Sequence, residues 1–434
     1  MIDLVLRAER VLLDGQLRAA AVAIADGRIA DIGAFGADYP ASVADAVVPP
    51  NAVLLPGFVD THVHINEPGT EWEGFATATA AAAAGGITTL VDMPLDCDPV
   101  TTTVAALRVK QASAQGNCIV DVGYWAGAVP ENLHNLAPLA RAGVRGFKCF
   151  LSNSGNPNFP RLTPDQFRQA MAQMAELDAV LLVHAESHDV IDGSPRPCGR
   201  DYMSFLDSRP DAAEEDAVSL VLDTAAATGA KAHIVHVSSG RVLALVAEAK
   251  GAGVPVTAET CPHYLTFAAE NIPDGGTEFA ACPPIRGSAN RNLLWEGLLD
   301  GTLDMVVSDH SPCARDYKGD GDFGLAFGGV SSLQLAPRVV WTQAAHRGFG
   351  VADLSRWMSE RPAALAGFVD RGRIAAGLRA DLCVVDPDTE EVIDAGTLRH
   401  RHAVSPYHGV ALRGSTLQTW SAGRLVFDGA REPA

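Results

Sequence analysis

The sequence holds no Cys-x-x-Cys pair, although it has 8 cysteines. They stand at 97, 118, 149, 198, 261, 282, 313 and 383, the scatter of reduced thiols and not of a disulfide framework. No run of about 18 or more strongly apolar residues occurs, so no membrane-spanning helix is expected. The Ala/Thr stretch at 76–84 is too short and too weakly apolar to span. Basic charge is scarce: 33 Lys and Arg face 52 Asp and Glu, a net charge of −19. A chain of that sign lacks the basic face that nucleic acid or an anionic membrane surface needs, so neither is an expected partner. No basic segment leads into an apolar stretch and cleavage site at the start, and a cytoplasmic location is the expectation. What is present, 47% hydrophobic and 20% charged residues over 434 positions, suits a globular protein with a large core.

The first fifty residues read as short strands punctuated by Asp14-Gly15 and Asp26-Gly27, both strong hairpin signals. Strand texture among turn residues returns at 380–385 and 425–429. The two chain ends are therefore expected to build one small β domain, a sandwich formed by 1–52 and 371–434 around a central 53–370 domain. That middle alternates apolar strand runs with Ala- and Leu-rich helices at 75–84, 163–177, 214–228 and 241–250. The strand runs lie near 53–64, 86–94, 118–126, 144–151, 180–186, 232–238, 255–261 and 303–310. Such continuous apolar runs fit parallel strands buried on both faces. Their number, over roughly 250 residues, predicts an α/β fold with a closed (β/α)8 TIM-like barrel; a doubly wound open sheet is the alternative. Two long segments, 192–211 and 314–329, read as lids or binding loops.

Chemistry concentrates where the apolar runs end. The candidate strand ends read His62-Val63-His64, Lys148, His184, His236 and Asp309, and in a barrel the C-terminal strand ends carry the catalytic groups. The spacing of two puts His62 and His64 on one face of a strand, a fitting pair of ligands for a borderline divalent ion. Taken alone, the pair reads more readily as two packed or solvent-facing histidines; the joint pattern of six carries the argument. Lys148 has an ordinary reading, its stem snorkelling to the barrel mouth. Among cation ligands, though, burial and positive neighbours would drive it to the neutral amine. A neutral amine can capture carbon dioxide as a carbamate and so become an anionic oxygen ligand.

Longer phrases point further. Gly57-Phe58-Val59-Asp60-Thr61-His62-Val63-His64-Ile65-Asn66-Glu67-Pro68-Gly69, Trp72-Glu73-Gly74-Phe75, Gly146-Phe147-Lys148-Cys149-Phe150, Glu259-Thr260-Cys261-Pro262-His263-Tyr264-Leu265, Pro283-Pro284-Ile285-Arg286 and Ser308-Asp309-His310-Ser311-Pro312-Cys313 are long and ordered. With them the chain resembles the cyclic amidohydrolases of the amidohydrolase superfamily, the group of dihydroorotases, hydantoinases, dihydropyrimidinases and allantoinases, and the allantoinase branch most. The resemblance implies a binuclear centre. In it His62 and His64 bind one ion, His184 and His236 the other, N6-carboxylated Lys148 bridges them and Asp309 completes the first site. It implies two divalent ions per subunit, zinc foremost, with cobalt, manganese or iron(II) as alternatives. Asp309 would also be the catalytic proton carrier in metal-assisted hydrolysis of a cyclic ureide. A homotetramer is implied as well.

Three positions bear on the substrate. Dihydroorotases meet a free carboxylate with Arg, Asn and His where this chain has Asn66, Leu95 and Cys313. A carboxylate would lose its charge-assisted bonds there, whereas Asn66 can both donate to and accept from a neutral urea. Leu95 reads foremost as apolar packing. Asn66, His263 and Cys313 are the expected substrate-side residues, and His310, next to Asp309, an outer support. Gly328-Gly329 could bring backbone close to a ligand, or simply turn the chain. The sequence departs from the usual allantoinase phrases at Thr70, which follows Gly69 where those phrases have Arg, and at Asp96-Cys97 in place of Asn-Ser. Hydantoinase or dihydropyrimidinase chemistry is the nearest alternative, dihydroorotase a further one. A non-enzymatic scaffold would be expected to have lost some of the six ligands, and all are here.

Overall fold

The computed structural model describes residues 1–40 and 42–431; the last three residues of the expected C-terminal β segment lie outside the described residues. Eight parallel strand segments close a barrel. They are Phe58–Val63, Ile87–Asp92, a third split into Asp121–Tyr124 and Ala126–Gly127, then Phe147–Phe150, Val180–His184, Lys231–Ile234, Val256–Thr260 and Met305–Val306. Trp125 parts the third strand, its indole Nε1 donating to the Thr61 carbonyl at 2.8 Å. A parallel bridge between Val63 and His310 closes the ring, with the His64 amide donating to the His310 carbonyl at 2.8 Å. All eight expected strand runs contribute to this ring, and the four expected helices form at Phe75–Ala84, Pro164–Leu177, Asp211–Thr228 and Leu243–Gly251. The second of these starts at a capping box: Thr163 accepts from the Gln166 amide while the Gln166 side chain accepts from the Thr163 amide.

Period-two alternation sorts each strand into two cores. Val180 and Leu182 point inward with Val91, Met93, Trp125 and Phe150 to fill the barrel, while Leu181 and Val183 face the surrounding helices. Asp60, His62 and His64 share the inward parity of the first strand. Both chain ends contribute to a single eight-stranded sheet that includes Leu4–Leu13, Gln16–Ala25, Arg28–Ala34, Leu382–Val392, Ala411–Ser421 and Arg424–Asp428. Asp14 and Asp26, with Gly15 and Gly27 after them, take positive φ at its hairpin turns.

One expected strand run is divided. Residues 53–64 read as a single barrel strand, yet Val53–Pro56 pairs antiparallel with Leu382–Val392 of the end sheet, and the barrel begins only at Phe58. Gly57 is the switch, because a Cβ there would strike the Thr88 side chain. Alternation joins the two bodies: Leu54, Leu382 and Val384 enter the core of the small domain, and Val53, Leu55, Cys383 and Val385 pack on the barrel.

Candidate metal centre and its cavity

Each of the six strand-end side chains is delivered to one end of the barrel. His62 and His64 stand at the end of the first strand, Lys148 within the fourth, His184 as the last residue of the fifth. His236 and Asp309 follow the sixth and eighth strands and take left-handed φ values of 40° and 44°, backbone strain of the kind held at functional sites. All six line one cavity of about 570 Å³. Asp309 Oδ1 lies 3.2 Å from His62 Nε2 and 3.6 Å from His64 Nε2. Ligand atoms of these three residues all fall within 4.8 Å of one another. The His62 ring centre lies 5.5 Å from that of His236, and His236 lies 4.5 Å from His184.

Buried carboxylates orient the imidazoles from behind. Glu259 Oε1 lies 2.5 Å from His62 Nδ1, and its other oxygen lies 2.8 Å from His233 Nε2. Glu186 Oε2 lies 2.6 Å from His184 Nε2 and is also paired with Arg209. A carboxylate on one ring nitrogen fixes the tautomer and aims the other nitrogen, the usual support of a metal-ligating histidine. Burial holds His62, His184 and His236 below the ordinary imidazole range, hence neutral, with lone pairs to offer. His236 Nδ1 is buried with no hydrogen-bond partner. Burial would raise Glu259, but His62 and His233 outweigh it and hold the carboxyl at about 2. Asp309 is held below the usual carboxylate range in the same way, by His62 and His64. Burial pulls Lys148 down to about 8 against the opposing pull of Asp309 and Glu259. Neutral imidazoles, an ionised carboxylate and an amine near neutrality make a nitrogen–oxygen donor set suited to divalent cations.

The two long segments read as loops supply much of the wall: Arg196, Phe205 and Arg209 from one, Phe323, Phe327 and Gly328 from the other. They are joined to each other, since Asp322 Oδ1 accepts from the Gly199 amide at 2.7 Å and the Phe323 amide donates to the Gly199 carbonyl at 2.8 Å. Trp72 packs edge-on to Phe327 at the rim, with ring centres 4.8 Å apart. A Cβ on Gly329 would strike the Ser311 carbonyl and one on Gly328 would meet Cys282 Sγ at 2.6 Å, so close backbone approach sets both glycines.

Of the expected substrate-side residues, Asn66, His263 and Cys313 are buried and stand outside the cavity lining. Asn66 Nδ2 donates to the Pro312 carbonyl at 3.4 Å, its φ is 61°, and its Oδ1 is unpartnered. Leu95 packs in the barrel interior and reaches the cavity wall. His310 Nδ1 accepts from the Ser332 and Leu333 amides, and its Nε2 faces Glu73 at 3.2 Å. The sequence reading missed the roles of Glu259, Glu186 and Arg209, and of Asp60, whose carboxylate receives the His62 and Ser308 amides. Glu186 carried a signal, two residues beyond His184. Asp96, Ser152 and Asn153 on the wall were also missed.

Comparison with known proteins follows the same line. Residues 53–426 match the model of the amidohydrolase family. The allantoinase of Streptomyces avermitilis is 49% identical over 99% of this chain and 96% of its own. That of Saccharomyces cerevisiae is 42% identical over 87% of this chain and 83% of its own. Among solved structures, an L-hydantoinase (dihydropyrimidinase) from Arthrobacter aurescens superposes with a TM-score of 0.94 at 28% identity, covering 99% of this chain and 96% of that one.

Proposed function

The chain belongs to the amidohydrolase family, and from that premise we propose that it hydrolyses the cyclic amide bond of allantoin to give allantoate. The observation that carries the reading is the convergence of His62, His64, Lys148, His184, His236 and Asp309 on one cavity. Near-full-length similarity to allantoinases supports the choice of substrate. In this reading His62, His64 and Asp309 would hold one divalent cation, His184 and His236 a second, and Lys148, as its carbamate, would supply an anionic oxygen ligand between the two sets. Zinc is the first choice for both. Bound there, the cations would supply Lewis acidity to the ring carbonyl and lower the pKa of water toward neutrality.

The chain's own groups do the rest. Asp309, ionised at neutral pH, takes a proton from the attacking water and delivers it to the leaving ring nitrogen. Glu259 and Glu186 keep His62 and His184 in single tautomers throughout. Asn66, His263 and Cys313 shape the wall from behind. Leu95 and Cys313 supply no cation for a substrate carboxylate, which disfavours dihydroorotate. The reading also carries a cytoplasmic homotetramer, the latter checked by light scattering.

Hydantoinase activity is the second reading, favoured by the 0.94 superposition. Elemental analysis paired with turnover on allantoin, hydantoin, dihydrouracil and dihydroorotate tests both. The proposal expects two ions per subunit and the highest kcat/KM on allantoin. A preference for unsubstituted hydantoin or dihydrouracil would replace it with the second reading.

A further inference from the structure

Cys261 and His263 follow the seventh barrel strand; Cys261 has no part in the reaction as derived above, and His263 only backs the cavity wall. Cys261, His263 and Asp309 nevertheless form a second convergent group, with one ligand atom from each lying within 4.8 Å of the others. Cys261 is a free thiol with no exposure. His263 is fully buried, and both its ring nitrogens lack a hydrogen-bond partner. An imidazole in that position has lost two water contacts without replacement, a state that calls for a ligand. Its neighbours explain neither nitrogen: the Tyr264 ring lies against it at 4.1 Å, while the Tyr264 hydroxyl is spent on the Pro283 carbonyl.

The donor types select the ligand. One sulfur, one imidazole and one carboxylate suit a thiophilic divalent cation such as zinc or cadmium, and suit magnesium or calcium poorly. Asp309 lines the cavity, while Cys261 and His263 lie buried behind that wall. We propose that Cys261, His263 and Asp309 form an inhibitory site for a third, thiophilic divalent cation, whose occupancy withdraws Asp309 from proton transfer. Binding forms the sulfur–metal bond and releases the thiol proton to water, with no change of oxidation state. The site shares Asp309 with the reaction centre but its occupancy is read without substrate, so it stands or falls apart from the choice of allantoin.

The experiment titrates the holoenzyme with cadmium and with excess zinc, counting ions per subunit after dialysis and following the thiolate–cadmium ultraviolet absorption. Activity is assayed in parallel. Wild type is expected to gain one ion beyond its resident complement, with the thiolate band and activity loss rising together. Cys261→Ala is expected to show neither band nor extra ion, and to require at least about tenfold more cation for the same inhibition, since even outer-shell losses cost that much in affinity. If Cys261→Ala fails to fold, Cys261→Ser and His263→Gln supply the same ion count and absorption readings. A wild type that takes up no further ion overturns the proposal, as does inhibition that is unchanged when Cys261 is replaced.

Discussion

Asp309 Oδ1 sits between His62 Nε2 and His64 Nε2, so an amide in its place keeps the shape and loses the base. Asp309→Asn is expected to retain bound metal while kcat falls by about 10²- to 10⁴-fold, the usual weight of general acid–base catalysis; retained turnover in a metal-replete variant would discard the proton-carrier role. Lys148→Ala tests the carbamate: a metal-poor protein, partly restored by short carboxylic acids, is expected from elemental analysis and assay. Glu259 carries a prediction in pH. Its carboxyl is held at about 2 against an ordinary 4.5, so its stabilising effect is complete above about pH 4.5 and is lost as pH falls toward 2. In the metal-stripped protein, the gap in unfolding midpoint between wild type and Glu259→Gln should therefore close across that interval. In the metal-bound protein the same variant should lose affinity by about 10- to 100-fold.

At the scale of elements, the barrel strands were legible because burial on both faces makes them continuous apolar runs, and their polar ends stand out against that background. The end strand Ala411–Ser421 was not: Gly414 and an uninterrupted half-buried run, Ser415-Thr416-Leu417-Gln418, leave it without an apolar–polar alternation. The run at 53–64 hid a change of sheet, because strands of either sheet look alike to hydropathy. Glu259 escaped notice as a partner because it meets His62 across 197 positions, a proximity that only barrel closure creates. The long loops were legible by length and glycine content, but not their mutual tie. Asp322 accepts both the Gly199 and Gly324 amides through Oδ1. Asp322→Ala is expected to loosen the wall, raising KM several-fold while metal content stays at the wild-type level; kinetics paired with elemental analysis separate this from damage to the centre, where kcat and metal content would both fall.

For the whole molecule, chemistry occupies one end of the barrel and the other end serves stability, a division general to this architecture. Arg371 marks the stability end. Its guanidinium donates to Thr89 Oγ1 and Asp121 Oδ2, both at 2.9 Å, near the starts of two adjacent strands, and to Asp370 on its own segment. That segment leads from the barrel into the strand Leu382–Val392, so Arg371, together with Arg379 on the same segment, fastens the barrel floor to the end sheet. The Arg371 guanidinium is only 7% exposed while Asp121 is 42% exposed and also lies 3.1 Å from Arg379 Nη1, so water and the second guanidinium still serve the carboxylate once Arg371 is gone. Arg371→Met is accordingly expected to cost about 1.5–3 kcal/mol, the range for hydrogen bonds to charged groups and not that of a fully buried ion pair. Urea unfolding would show the loss, with metal content and kcat unchanged because the opposite strand ends are untouched. A fall in kcat at full metal occupancy would instead mean that the two ends of the barrel are mechanically coupled.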